Sequence, residues 1–417
     1  MMLNKKMEKI MKKTIFNIAV LFTAFTAFTA LSAQDNTVNN TVQEKKDESA
    51  LEINTRIQFR AVSGQKESVY AATKDYDAID FNFRRIRITA KYDISKNYGG
   101  VIDIKGEKLL ENGKSSIQEA NIWFKPGTSL LKITMGQFKL PFLREQLTSG
   151  AKLAVTERSF SEGAVGQMDI GVRATIMPFE LVSPFLAKKL VLDFSYTNGD
   201  GSGHDGVGYK QAETKSGPIG PLVNWRIEVN PLGGIVKDGK DKGWKDGDEI
   251  FQKDTLFSLG YAGLNTNSNE VASKFTPAKS LTGHTVDFTL FSMGAYLNGE
   301  YTIFKGDAAP YGYQTYQATA GYMIPVMDMY VMPVLRYNYL QADDLTKKNN
   351  KIDFNEKFTD IWVGTNIFVE KHTFKFQVFY QIKGDKAHKD SAGKLDNTDK
   401  KDNLIYFQAQ TNFGKDI

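Results

Sequence analysis

LEINTRIQFRAV, residues 51–62, places Leu51, Ile53, Ile57 and Phe59 on one face of an extended chain and Glu52, Asn54, Arg56, Gln58 and Arg60 on the other. Lipid would meet the first set and water the second. The same period of two returns in VNWRIEV (223–229), where Val223, Trp225, Ile227 and Val229 oppose Asn224, Arg226 and Glu228. It returns again in TFKFQVFYQIK (373–383), and the last segment, NLIYFQAQTNF (403–413), aligns Ile405, Phe407, Ala409, Thr411 and Phe413. Alternation of this kind predicts strands with one apolar and one polar face.

A soluble β-sandwich alternates as well, so the connections have to decide between the two architectures. Strands are expected near 51, 79, 97, 116, 130, 168, 187, 222, 254, 284, 294, 313, 329, 358, 372 and 403. The odd-numbered links are mostly long and polar: 63–78, 139–167, 198–221, 264–283, 341–357 and 383–402. The even-numbered ones are tight, as in YDISKN, KPGTS, PFELVSPF and the breaks at Ser292–Gly294, Pro325–Asp328 and Glu370–Lys371. Long loops on one side and short turns on the other predict a transmembrane antiparallel β-barrel of about sixteen strands. PLGGIVKDGKDKGWKDGDEIFQKD (231–254) breaks the rule, being long where a tight turn is expected. It reads as an extended loop on the turn side or as a miscounted strand. Tyr196, Trp225, Tyr322, Tyr337, Tyr339, Trp362, Tyr380 and Phe413 fall near strand ends, where an interfacial belt and ordinary sheet packing are equally good accounts.

Upstream of the first strand, Lys5, Lys6, Lys9, Lys12 and Lys13 precede the apolar tract Ile15–Ala30 and the small residues Ser32 and Ala33. Residues 1–33 therefore read as a signal peptide for Sec export, and MKKTIFNIAV from Met11 is a complete leader by itself. Residues 34–50 lack an apolar pattern and read as a disordered tether, leaving 51–417 for the barrel. The formal net charge of +5 includes five lysines and one glutamate of the leader, so the remainder carries about +1. Any attraction for anions must then come from where charges point. The chain has no cysteine, which removes lipid attachment through Cys, thiol catalysis and disulfides together. No later stretch is long and apolar enough to cross a bilayer as a helix, so a crossing would be made by a closed sheet.

The block ITMGQFKLPFLREQLTSGAKLAVTERSFSEGAVGQMDIGVRATI (133–176) resembles the phosphate-selective porin family, which carries a similar run of GQFK, PF, E, LTS, ERS and D-GV. FNFRRIRITAKYD (81–93) resembles that family's paired-arginine second strand, and EANIWFKP (119–126) its fourth. The likeness is strongest over 79–178. It implies a sixteen-stranded barrel, a homotrimer, an inward-folded third loop that narrows the pore, and an inner wall of Arg and Lys that selects inorganic phosphate or other small anions. Lys139 within GQFK and Arg158 within ERS match the motif position by position, as third-loop cations. Arg144 and Lys152 fall where the motif does not clearly match, with Glu145 and Glu157 expected as structural partners.

The residues allow a parallel argument. Phe81 and Phe83 set one phase and Ile86, Ile88, Ala90 and Tyr92 the other, with the change between Arg84 and Arg85. A β-bulge there would turn both arginines inward, with Arg87 following; an interfacial pair is the alternative. The same face assignment turns Arg56, Arg60, Lys132, Arg173, Arg226, Arg336 and Lys375 inward. Guanidinium forks suit phosphate and carboxylate oxygens, so a ladder of them would pass anions between several weak sites. Inward acids, Glu52, Asp80, Asp103, Asp193 and Glu228, temper this by offering ion-pair partners across the lumen.

Chemistry is harder to find. GSGHD places Ser202, His204 and Asp205 too close together in a Gly-rich loop for a triad, and His occurs only at 204, 284, 372 and 388. DGKDKGWKDGDE (238–249) lacks the spacing of an EF-hand loop, and NGKSS fails as a P-loop. The Lys and Asp mixture of 383–402 balances in sign and gives no case for nucleic acid. The expectation is a passive outer-membrane channel in contact with lipid, without catalytic residues, cofactor or metal. A barrel for a different solute such as organic anions, or a plugged barrel acting as a surface adhesion or structural protein, is the alternative.

Overall fold

A computed structural model describes residues 50–64, 79–107, 116–126, 130–160, 167–183, 186–199, 222–237, 240–241, 243–266, 281–306, 312–342, 357–384, 388–389, 395–396 and 403–416. The expected leader and tether, and the GSGHD stretch, lie outside them. Among the described residues no helix is long and apolar enough to cross a membrane.

Sixteen strands make one sheet. They are β1 (Ala50–Gly64), β2 (Ile79–Ser95), β3 (Tyr98–Lys105), β4 (Ser116–Phe124), β5 (Leu131–Lys139), β6 (Met168–Ile176), β7 (Leu190–Thr197) and β8 (Leu222–Val229), followed by β9 (Leu256–Thr266), β10 (Leu281–Ser292), β11 (Ala295–Gly306), β12 (Gly312–Tyr322, resuming as Ile324–Val326), β13 (Met329–Ala342), β14 (Lys357–Glu370), β15 (Phe374–Lys383) and β16 (Leu404–Asp416). Each pairs antiparallel with its sequence neighbours. β16 then returns to β1 in an unbroken register from Glu52↔Asp416 to Gly64↔Leu404, so the sheet is a closed barrel with no edge. The strand starts fall within a few residues of those expected from alternation.

Side-chain period follows the pleat. On β16, Ile405, Phe407 and Phe413 are exposed on the outer face, while Leu404, Tyr406, Gln408 and Gln410 are buried on the inner one. On β2, Phe81, Phe83 and Ile88 face outward beside Phe59 of β1, whose ring centroid is 5.9 Å from that of Phe81. Of the two accounts open for Trp362, packing within the sheet holds: it is buried on the inner face of β14, with its ring centroid 4.9 Å from that of Tyr406.

Register shifts once between β1 and β2. Gln58 opposes Arg85 and Phe59 opposes Phe83, which leaves Arg84 as an extra residue at the point where the apolar phase changes. Among its described residues the long link between β8 and β9 contains no barrel strand. It carries a two-residue hairpin, Val236–Lys237 with Lys240–Asp241, and a 3-10 turn, Glu249–Phe251, and it turns back against inner-face residues.

The bulge sets the phase of everything before it on β2. Deleting Arg84 should therefore drive Phe81 and Phe83 toward the inner face and abolish the compact, heat-modifiable band on unboiled SDS gels, whereas Arg84→Ala should keep it. A folded band from the deletion variant would show that the bulge is dispensable.

Candidate functional site

The inner ends of β1 and β2 meet the connection between β5 and β6. Arg84 grips Glu157 with both forks, Nε to Oε1 at 2.6 Å and Nη2 to Oε2 at 2.7 Å, and Arg60 donates to the same carboxylate. Burial alone would raise the Glu157 carboxyl, but Arg84, with Arg85 and Arg60 beyond it, holds it at about 2. Arg85 donates to Gln58 Oε1 at 2.8 Å, and the chain at Gly150 comes so close that a Cβ there would stand 2.8 Å from the Arg85 Nε. A larger residue at 150 would have to displace that guanidinium. Arg87 donates to Gln118 Oε1 at 2.6 Å and forms an ion pair with Glu107.

Across the barrel a second network holds the other end of this connection. Arg226 forks onto Asp287, with Nη1 to Oδ2 at 2.7 Å and Nη2 to Oδ1 at 2.9 Å, and also donates to the Phe142 carbonyl at 3.1 Å. Arg144, on a single helical turn (Arg144–Leu147), pairs with the same Asp287, donates to Ser258 Oγ at 2.7 Å and reaches Asp246 at 2.8 Å. Burial opposes its charge, yet Asp287, Asp246 and Glu228 keep the Arg144 guanidinium firmly protonated. Arg336 pairs with Glu145 at 2.6 Å and donates to Thr319 Oγ1 at 2.8 Å and the Glu157 carbonyl at 2.9 Å. Arg173 donates to Asp193 at 2.8 Å.

The remaining expected cations have neutral groups among their contacts. Lys139 donates to the Leu147 carbonyl at 2.8 Å, and Arg158 to the Glu145 and Thr148 carbonyls at 2.8 and 3.0 Å. Lys375 donates to the Leu153 carbonyl at 3.2 Å, while Arg56 donates to Ser149 Oγ at 3.0 Å and Asn412 Oδ1 at 3.1 Å. Lys132 lies over the Trp123 ring, 5.4 Å from its centroid. Residues 140–160 are thus tied to inner-face side chains from nearly every side of the barrel, and apolar Leu140, Phe142, Leu143 and Val155 pack on inner-face Leu264, Phe304, Val334 and Phe379.

Several partners were not foreseen. Asp287 and Glu107 lie 143 and 20 residues from the arginines they hold, and nothing local marks them. Asp246, Asp248 and Glu249 had one signal, the excess length of the β8–β9 link. Burial first, and Asp246 next to it, push the Glu249 carboxyl up to about 8. Among the described residues no group of His, Asp and Glu could hold a metal ion.

Removing Asp287 leaves two buried guanidiniums facing each other, so Asp287→Ala should lower stability by about 3–5 kcal/mol, read from urea unfolding. Glu157 and Glu249 should respond to pH in opposite senses. Glu157 titrates below the ordinary carboxylate, so its contribution is complete above pH 4.5 and lost as pH falls through about 2. Glu249 titrates above it, so stability declines as pH rises from 4.5 through about 8. Glu249→Gln should accordingly raise the urea midpoint at about pH 9 and leave it unchanged at about pH 4.

Residues 55–178 match the family model described as phosphate-selective porin O and P. No protein of curated function matches the sequence. Among solved structures, the outer membrane channel DcaP of Acinetobacter baumannii is similar at TM-score 0.56 and 15% identity, covering 89% of this chain and 99% of that one. An anion-selective porin from Comamonas acidovorans is similar at TM-score 0.52 and 12% identity, covering 88% and 100%. The trimer form of OmpT, an outer membrane protein of Vibrio cholerae, is similar at TM-score 0.50 and 10% identity, with the same coverage. At such identities these likenesses speak for the fold, a closed porin-type barrel. The match to phosphate-selective porin O and P over residues 55–178 falls on the stretch whose motifs resemble that family.

Proposed function

We propose that the protein is a passive outer-membrane porin, exported through the Sec pathway and assembled as a homotrimer, that passes small anions with inorganic phosphate among them. The observation that carries the anion preference is that Arg56 and Lys139, both only half-buried, are held on the inner side by hydroxyl, amide and carbonyl oxygens, so among the described residues no carboxylate in contact cancels their charge. Arg84, Arg87, Arg173, Arg226 and Arg336 carry carboxylate partners and contribute less net charge. Residues 140–160 serve in this reading as the third loop that narrows the pore. No bond is made or broken, and solute follows its gradient from one weak site to the next. The family matched over 55–178 and the anion-selective and trimeric porins of similar fold support the assignment.

A second reading has its own support. Much of the inner wall is buried beneath apolar contacts, as a plugged barrel acting at the cell surface would require. Conductance separates the two. In a planar bilayer under a KCl gradient, the reversal potential should indicate anion selectivity, and low phosphate should block the chloride current. Cation selectivity or absence of block would remove the phosphate assignment. Absence of conductance would favour the plugged barrel.

A further inference from the structure

The inner wall is covered unevenly. Residues 140–160 reach across it from the long-loop end, and residues 243–251 meet them from the short-turn end. Asp246 accepts from Arg144 at 2.8 Å, Asp248 pairs with Lys152 at 2.5 Å, and His372 Nε2 and the Gly247 carbonyl are 2.6 Å apart. Ile250 is buried, and the Phe251 ring lies 5.2 Å from Phe368 and 5.0 Å from His372. Gly247, at φ +87°, is seated so tightly that a Cβ would stand 2.8 Å from the Lys152 carbonyl.

The consequence is written in the polar side chains of the wall. On β8–β15, inward polar groups such as Asn224, Ser258, Thr289, Thr302, Gln317 and Gln377 are at most 3% exposed. On β2–β6, Thr89, Lys91, Asp103, Glu119, Lys132 and Arg173 are half-buried on the same inner face. Trp123 stands on that sector, and its ring lies under two lysines, Lys125 at 4.8 Å and Lys132 at 5.4 Å. Lys91 is paired with Asp93 and Arg173 with Asp193. Arg173, Lys125, Glu119 and Lys91 surround Lys132, a set with more cations than acids.

We propose that residues 243–251 plug the short-turn half of the barrel over β10–β15, confining water to one off-axis lane along β2–β6 in which Lys125 and Lys132, flanking Trp123, set the charge preference. What the lane carries rests on the porin reading; where the lane runs does not. Arginines buried on the opposite side then fasten the two segments, and the cations that a permeating anion meets last are the two lysines.

The absence of cysteine makes the test direct. Thr89→Cys and Thr289→Cys place near-isosteric thiols on the two sectors, and a charged methanethiosulfonate reagent reports which is wet, read by mass on the folded full chain. Thr89→Cys should react at least about tenfold faster, because a thiol in a packed wall reacts only through local opening. Adding Gly247→Val, which cannot keep its backbone conformation or its seat on Lys152, should release the Thr289→Cys thiol. Equal labelling of the two sites, or silence at both, overturns the lane even if Gly247→Val fails to fold. In bilayers, Lys132→Glu and Lys125→Glu should move the reversal potential toward cations, and an unmoved potential in a conducting barrel removes the lysines from the selectivity. A wild-type chain that conducts nothing while Thr89→Cys still labels would sink the porin reading and leave the lane standing.

Discussion

Closure of the sheet is the constraint on which the rest depends. A strand whose outer side chains are apolar can lie in hydrocarbon only if every backbone N–H and C=O finds a partner within the sheet. The register of β16 on β1 achieves this over thirteen residue pairs, Glu52 to Gly64 against Asp416 to Leu404. Once the barrel is closed, the period of two divides its side chains into an outer and an inner set, and the inner set must face water, another segment of the chain, or each other. Ion pairs, interior loops and any aqueous path are three answers to that one demand.

The inner charges answer it mostly with each other. Glu157 and Asp287 each sit between two or more arginines, and both networks end on the segment 140–160. Exposed pairs of this sort contribute little, whereas in a site dried by neighbouring apolar groups the loss of one partner strands the other. The arginines therefore have a mechanical consequence before any electrostatic one. They fix the path of a long connection through the barrel, and only cations lacking a carboxylate in contact keep charge to offer a solute.

Strand positions, the two faces and the bulge at Arg84 were legible because each depends on neighbours within a few residues. Alternation in 51–62 and 403–413 and the change of phase at Arg84 are local signals with a fixed geometric meaning. The ion pairs were not legible, since Arg144 could have met any of several acids and its contact with Asp287 is decided by strand order across the barrel. Trp362 stayed open for a related reason: at a strand end, an interfacial ring and one packing inward on Tyr406 look alike in sequence. The β8–β9 link announced itself by length alone, and its inward path, with Ile250 buried and Phe251 against Phe368, depends on contacts across the barrel.

That link bears on how a porin-type barrel can be tuned. A loop from one end alone narrows a pore at one level and leaves the wall beyond it wet all round. Here Asp246 and Asp248, near the tip of a link from the other end, reach Arg144 and Lys152 of the first segment, so the two meet as one body. Charges beneath that body are removed from solvent whatever their number, and arginines counted on the inner face overstate the field a solute would meet. Selectivity then depends less on the total of inward cations than on which sector stays wet, and here the wet sector carries lysines beside a tryptophan instead of the paired arginines that dominate the sequence.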